Sequence, residues 1–189
     1  MKWNKRMVRN LYPLLEKYKT VPATFIEVGV QAGNTSRWLL ENILLHPLSK
    51  LYGIDAYDYS LLHRKERAMF DIALEGVKNL QSDYPEKFKL LKGLSCDMLA
   101  RHIMYCGYFA ENSIDFIYLD ANNGSAFKCL YDFYLSWPLL KIGGTIIINN
   151  NTKFHPSVQK AVLFLFNEIE KNNGSIIAMR DQLCIRKVA

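Results

Sequence analysis

Among 189 residues there are only four cysteines, and Cys96, Cys106, Cys129 and Cys184 form no C-x-x-C pair. They read as reduced, partly buried thiols of an intracellular protein. No apolar run reaches the length of a membrane span, so no membrane partner is expected. The first residues carry charges with no apolar segment behind them, which argues against a secretory signal and leaves the cytoplasm as the default. Acidic residues are fewer than basic ones, 18 against 24, for a net charge of +6. Much of the excess lies in Lys2, Lys5, Arg6, Arg9, Lys17 and Lys19 and around Arg64, Lys65 and Arg67. A basic surface can meet nucleic acid or an anionic substrate. No nucleic-acid motif accompanies it here, so a solvated face is the expectation. The dinucleotide fingerprint G-x-G-x-x-G is also missing. What remains is an ordinary globular composition, half apolar, of a length suited to one α/β domain spanning 1–189.

The chain is organised around Phe25 to Ser36, FIEVGVQAGNTS. A strand over Phe25 to Val28 runs into a glycine turn and then a helix from about Thr35. Gly29 and Gly33 permit a sharp turn and close approach of a ligand. Asn34, Thr35 and Ser36 offer N-cap oxygens, and the amides opening the helix face whatever lies over the turn. Such a helix start suits a carboxylate or phosphate. Glu27 places a negative charge beside it. One carboxylate next to a set of helix amides suits an amino acid, with its ammonium and carboxylate, and repels pyrophosphate.

The rest of the chain alternates. Trp3, Met7, Leu11, Leu14, Leu15 and Tyr18 mark an amphipathic N-terminal helix within residues 1–20. Strands are expected at Leu51–Asp55, Lys87–Leu91, Ile114–Asp120 and Thr145–Ile148. A final hairpin pairs Ser175–Met179 with Leu183–Lys187 about Arg180-Asp181. Helices are expected from Thr35 to about Leu45, within 57–86, over Asp97–Gly107, over Ala126–Leu140 and from Pro156 to about Lys171. This order predicts an α/β, three-layer, Rossmann-like fold. Its seven-stranded sheet is mostly parallel, with an antiparallel last strand. Strand ends Glu27, Asp55, Gly93, Asp120 and Asn149 then collect on one edge, at the switch point.

Asp55 ends the second strand about twenty residues past the glycines, where a carboxylate reaches a ribose diol. Its alternative is a capping or surface Asp. Leu94 and Ser95, after Gly93, can frame an adenine ring or form a plain turn. Substrate contacts are expected to begin at Tyr57, Asp58 and Tyr59.

The motifs F-I-E-V-G-V-x-x-G-N-T-S, L-Y-G-I-D, I-D-F-I-Y-L-D-A-N-N, W-P-L-L-K-I-G-G-T-I-I-I-N-N-N and H-P-S-V-Q-K-A-V occur in this order over residues 24–188. Together they resemble a small class I S-adenosylmethionine (SAM) dependent methyltransferase, similar to the catechol-type and macrocin-type O-methyltransferases. The resemblance implies a SAM site in which Glu27 holds the methionine ammonium. Gly29, Val30 and Gly33 would line the cofactor and Thr35 would meet its carboxylate. Asp55 and Ala56 would take the ribose and Leu94-Ser95 the adenine, with Asp120 at the substrate end.

The departures bear on catalysis. Metal-using relatives carry an Asp after the fourth strand, then an Asp followed by Asn or Asp after the fifth. Here Asp120 is kept, but the second pair reads Asn149-Asn150, or Asn150-Asn151 in a shifted register. Mg²⁺ prefers charged oxygens, so these are weak metal candidates and a divalent metal is doubtful. Asn123 stands where many relatives have a His, and an amide is no base at neutral pH. Asp120 and His155 are therefore the candidate catalytic residues, His155 having a surface or helix-capping role as its alternative.

Two readings stand. One is O-methylation of a small hydroxylated molecule, a sugar or glycan precursor among them, without tight metal dependence. The other is a degenerate SAM-binding module. A nicotinamide-dependent oxidoreductase is disfavoured by Glu27 and the glycine spacing. A homodimer through the N-terminal helix is a further expectation.

Overall fold

The computed structural model describes residues 11–58, 64–104, 109–179 and 181–188. Seven strands form one sheet: β1 (Thr24–Val28), β2 (Lys50–Asp55), β3 (Phe88–Lys92), β4 (Ile114–Leu119), β5 (Leu140–Ile148), β6 (Gly174–Met179) and β7 (Leu183–Lys187). Among the described residues, helices α1 (Asn34–Asn42), α2 (Arg64–Asp83), α3 (Ser95–Met104), α4 (Ala126–Ser136) and α5 (Pro156–Glu168) accompany them. The strand order is β3-β2-β1-β4-β5-β7-β6. β7 runs antiparallel to both neighbours, and the β3-β2-β1-β4-β5 block is parallel. The expected fold is thus observed.

β1 lies between β2 and β4 and helices cover both of its faces, so its side chains are apolar apart from Thr24 and Glu27. On one side Leu39, Leu40, Val77 and Leu80 of α1 and α2 pack with Leu11, Leu15, Phe25, Phe116 and Tyr118. On the other, Leu99, Phe133, Val158 and Val162 of α3, α4 and α5 cover Ile26, Val28, Ile117 and Ile146. These two layers around the sheet bury the two faces that alternate along β4. The Phe25 and Phe116 rings stack obliquely across the β1–β4 pair, 4.9 Å apart.

Several boundaries differ from the sequence expectation. α1 starts one residue earlier and ends at Asn42. α4 stops at Ser136, and Trp137–Leu139 forms a 3-10 turn leading straight into β5. Pro138 lacks the amide that a longer α-helix needs. β5 therefore begins at Leu140 rather than Thr145, with an irregular register against β4 near Gly143, whose φ is 80°. Within the 57–86 segment the described helix runs from Arg64 to Asp83, and residues 59–63 lie outside the described residues. Within the N-terminal segment, 11–15 are helical and Glu16–Lys19 is a 3-10 turn, while residues 1–10, and with them most of the expected dimerising helix, lie outside the described residues. No helix among the described residues is long and apolar enough to cross a membrane. Cys96, Cys129 and Cys184 are free thiols, and Cys106 lies outside the described residues.

Candidate functional site

At the carboxyl edge β1, β2 and β4 bring three acids together: Glu27, Asp55 and Asp120. Glu27 is 1% exposed. Burial pushes its carboxyl up to about 8. Ser36 and Thr35 hydrogen bonds oppose that rise, and the nearby Asp120 and Asp55 charges add to it. The Ser36 hydroxyl donates to Glu27 Oε2. This changes the expected helix start. Gly33, at φ 73°, occupies the N-cap position of α1, and no side chain caps the helix. Thr35 and Ser36 turn to Glu27 instead. The helix opening is left to backbone amides alone, the arrangement an incoming carboxylate satisfies.

The glycine turn is fixed from three sides. Gly29 has φ 93°, and a Cβ there would stand 2.7 Å from the Asp120 carbonyl oxygen. Glycine at 29 thus lets the ends of β1 and β4 meet, whatever lies above them. The Val30 and Gln31 amides each donate to Asp55 Oδ2 at 2.9 Å, and the Tyr57 amide donates to Oδ1 at 3.2 Å. Asp55 therefore caps the turn. A carboxylate has about four lone-pair sites, so acceptor capacity remains. From α2, Gly76 lets the Ala32 carbonyl approach, since a Cβ there would lie 2.6 Å from that oxygen.

Tyr57, expected to contact substrate, is turned inward. It is 6% exposed, has φ 40°, and its hydroxyl donates to the Gln31 carbonyl. Burial raises that phenol far above its usual range. Its role in this structure is to clamp the glycine turn. Asp58 is exposed, and Tyr59 lies outside the described residues. Ala56 is half-buried beside Asp55.

At the end of β3, Leu94 is 44% exposed and Ser95 opens α3. Ser95 belongs to a network that the sequence did not reveal. Asn122, at φ 56°, donates to Ser95 Oγ at 3.0 Å and to Asp132 Oδ2 at 2.6 Å. Asp132 is 2% exposed, and burial raises its carboxyl. The three residues tie the β4 loop to α3 and α4.

Asp120 is ringed by amides. Asn150 donates to its Oδ1 at 2.8 Å. Burial lifts the Asp120 carboxyl to about 6. Side-chain bonds from Asn149 and Asn123 pull it back, as does the His155 charge. Behind them Gln182, 5% exposed, donates from Nε2 to Asn149 Oδ1 at 3.0 Å and to the Tyr118 hydroxyl at 3.3 Å. Reversing the Asn149 amide would set two donors face to face at Gln182 and aim its oxygen at a carboxylate. Gln182 and Asp120 thus fix one orientation of Asn149. Gln182 and the Asp181 carbonyl, which accepts from the Asn151 amide at 2.8 Å, hold the loop after β5. Gln182 has no partner near it in sequence, so only the β5–β7 pairing reveals it. His155 occupies the N-cap position of α5, with Nδ1 3.2 Å from Thr152 Oγ1.

This donor set does not suit a hard divalent cation. No group of three His, Cys, Asp or Glu side chains placed to hold a metal ion is found among the described residues. Asn150 turns its NH₂ toward Asp120, while Mg²⁺ prefers charged oxygens.

Residues 26–151 match the family described as methyltransferase domain. No curated protein matches the sequence significantly. Among solved structures, the chain is similar to the O-methyltransferase NovP. Identity is 16% and the TM-score 0.67, over 97% of this chain and 80% of that one. An rRNA methylase from Streptococcus thermophilus is similar at 16% identity and TM-score 0.63, over the whole of both chains. A third, SMU.1697c from Streptococcus mutans, was solved in complex with SAH. It shares 13% identity at TM-score 0.65, over 100% of this chain and 99% of that one. At these identities the likeness is one of fold.

Proposed function

The chain belongs to the class I, SAM-dependent methyltransferases, and we propose that it methylates a hydroxyl of a small acceptor, a sugar or glycan precursor among them. The observation that carries this reading is Asp120, a carboxylate at the substrate end of the edge, held as an acceptor by three amides. SAM supplies a methyl group on a sulfonium. Glu27 and the opening amides of α1 would clasp the ammonium and carboxylate of its methionine end, and Asp55 would accept from the ribose diol. Leu94 would lie against the adenine.

SAM would supply its methyl group to the acceptor oxygen and would leave as S-adenosylhomocysteine (SAH), while Asp120 would take the hydroxyl proton and a methyl ether would result. Orientation supplies much of the acceleration, and Asp120 supplies the proton acceptor that a neutral amide at 123 does not. His155 is the second candidate for that proton, supported by its place on the loop beside Asp120.

The test is transfer of labelled methyl from SAM to a panel of hydroxylated small molecules, with and without EDTA. Turnover that survives EDTA and falls at least a hundredfold in Asp120→Asn is expected, since a general base typically contributes 10²–10⁴-fold. Complete loss under EDTA would overturn the metal-free part. SAH binding without transfer to any acceptor would favour a cofactor-binding module, the reading to which Asn123 and Asn150 lend support.

A further inference from the structure

The outer surface of α4 and α5 is aromatic where a helix layer facing water is ordinarily polar. Phe127 is 73% exposed, Tyr131 45% and Tyr134 40%. Their spacing of four and three residues puts them on one stripe of α4. The Phe127 and Tyr131 rings stack 5.9 Å apart. α5 lies alongside with its start at the same end, since Ser157 Oγ donates to the Gly124 carbonyl at 3.2 Å. Near the other end, the Glu168 charge acts on Tyr134. Phe164, one turn before Glu168, therefore stands beside the middle of the α4 stripe. It is 52% exposed.

We propose that this face is where a second copy of the chain docks, antiparallel about a two-fold axis that crosses both helices at the level of Tyr131 and Phe164. Area and charge both favour that occupant. A Phe or Tyr carries roughly 200 Å², so four that are about half exposed offer about 400 Å² of apolar surface. An interface of standard size takes about 800 Å² from each partner, a little over half of it apolar, or roughly 450 Å². The match is to one copy of similar shape.

Charge sets the direction. Lys128 and Lys160 lie toward the starts of the two helices, and Glu168 and Glu170 at the far end. Lys160, Phe164 and Glu168 are spaced by four, on one stripe of α5. A two-fold axis at Phe164 exchanges positions 160 and 168. Lys160 of each copy then meets Glu168 of the other, which also pairs with Lys171 at 2.8 Å in its own chain. Parallel docking would instead oppose lysine to lysine. Such an isologous contact closes on itself and leaves no propagating surface.

Sedimentation of the full chain between about 1 and 100 µM tests this. The wild type should reach twice the 21.9 kDa of one chain at the upper concentration. Tyr131→Glu and Phe164→Glu, both at exposed positions, should stay at the single-chain mass with unchanged circular dichroism and SAH affinity. Lys160→Glu should weaken self-association about tenfold, since both symmetry-related surface ion pairs are lost together. The double change Lys160→Glu with Glu168→Lys should restore it. A wild type at 21.9 kDa throughout, or a dimer that survives both Glu variants, overturns the proposal. Failure of the charge swap to restore association overturns the antiparallel arrangement.

Discussion

Binding of SAM or SAH at pH 7 should release close to one proton, and Glu27 should be its source. With its carboxyl at about 8, Glu27 is about nine-tenths protonated at pH 7 in the free protein. A ligand ammonium beside it favours the charged form and drives ionisation. The ligand then meets a cost of about 1.4 kcal/mol at pH 7 that disappears above pH 8. SAH affinity should weaken about fivefold from pH 8 to 7 and about tenfold more from 7 to 6, following the protonated fraction. Glu27→Gln keeps the side-chain volume and removes both the charge and the proton. It should bind SAH about thirtyfold more weakly at pH 8, for roughly 2 kcal/mol of lost ion pairing. Its affinity should be nearly flat with pH, which also separates Glu27 from Asp120, titrating near 6. Calorimetry in two buffers of different ionisation heat counts the protons. No release by the wild type, or the same pH dependence in Glu27→Gln, would refute the reasoning.

The same substitution should stabilise the fold. Glu27 binds its proton more tightly folded than unfolded, so its effect on stability is neutral below about pH 4.5 and grows unfavourable up to about pH 8. At pH 7 Glu27→Gln should therefore gain up to roughly 3 kcal/mol, read as a higher urea midpoint than wild type, and the gain should vanish near pH 4. Gly29→Ala should cost about 2–4 kcal/mol in the same assay, because its Cβ meets the Asp120 carbonyl in a left-handed backbone. Gln182→Leu should reduce kcat about tenfold while SAH affinity stays within twofold. It frees Asn149 without touching the glycine turn, and equal losses in both would assign Gln182 to packing alone.

Much of this site is legible in the sequence because its parts are local. Glu27, Gly29 and Gly33 sit within one strand–turn–helix unit. Asp55 and Asp120 each end an apolar run whose length fixes where the acid emerges. What escaped depends on contacts distant along the chain. Ser36 reads as a helix cap, yet the buried Glu27 draws its hydroxyl backward. Tyr57 reads as a rim residue because nothing nearby in sequence shows that its ring enters the core and holds Gln31. Asn122 and Asp132 are ten residues apart, joined by the fold of the β4–α4 loop. Gln182 and Asn149 meet only when β7 enters antiparallel beside β5. The misplaced start of β5 has a local cause. Gly143-Gly144 reads as the turn, while the chain already runs extended from Leu140 and only its register slips there.

The most direct measurement is a crystal structure of the chain grown with SAH, checked by parallel titration with NAD. SAH should lie over the glycine turn, its ammonium against Glu27 and its ribose hydroxyls on Asp55, and NAD should give no binding heat. A crystal with no SAH at that edge, or a preference for NAD, would contradict the account.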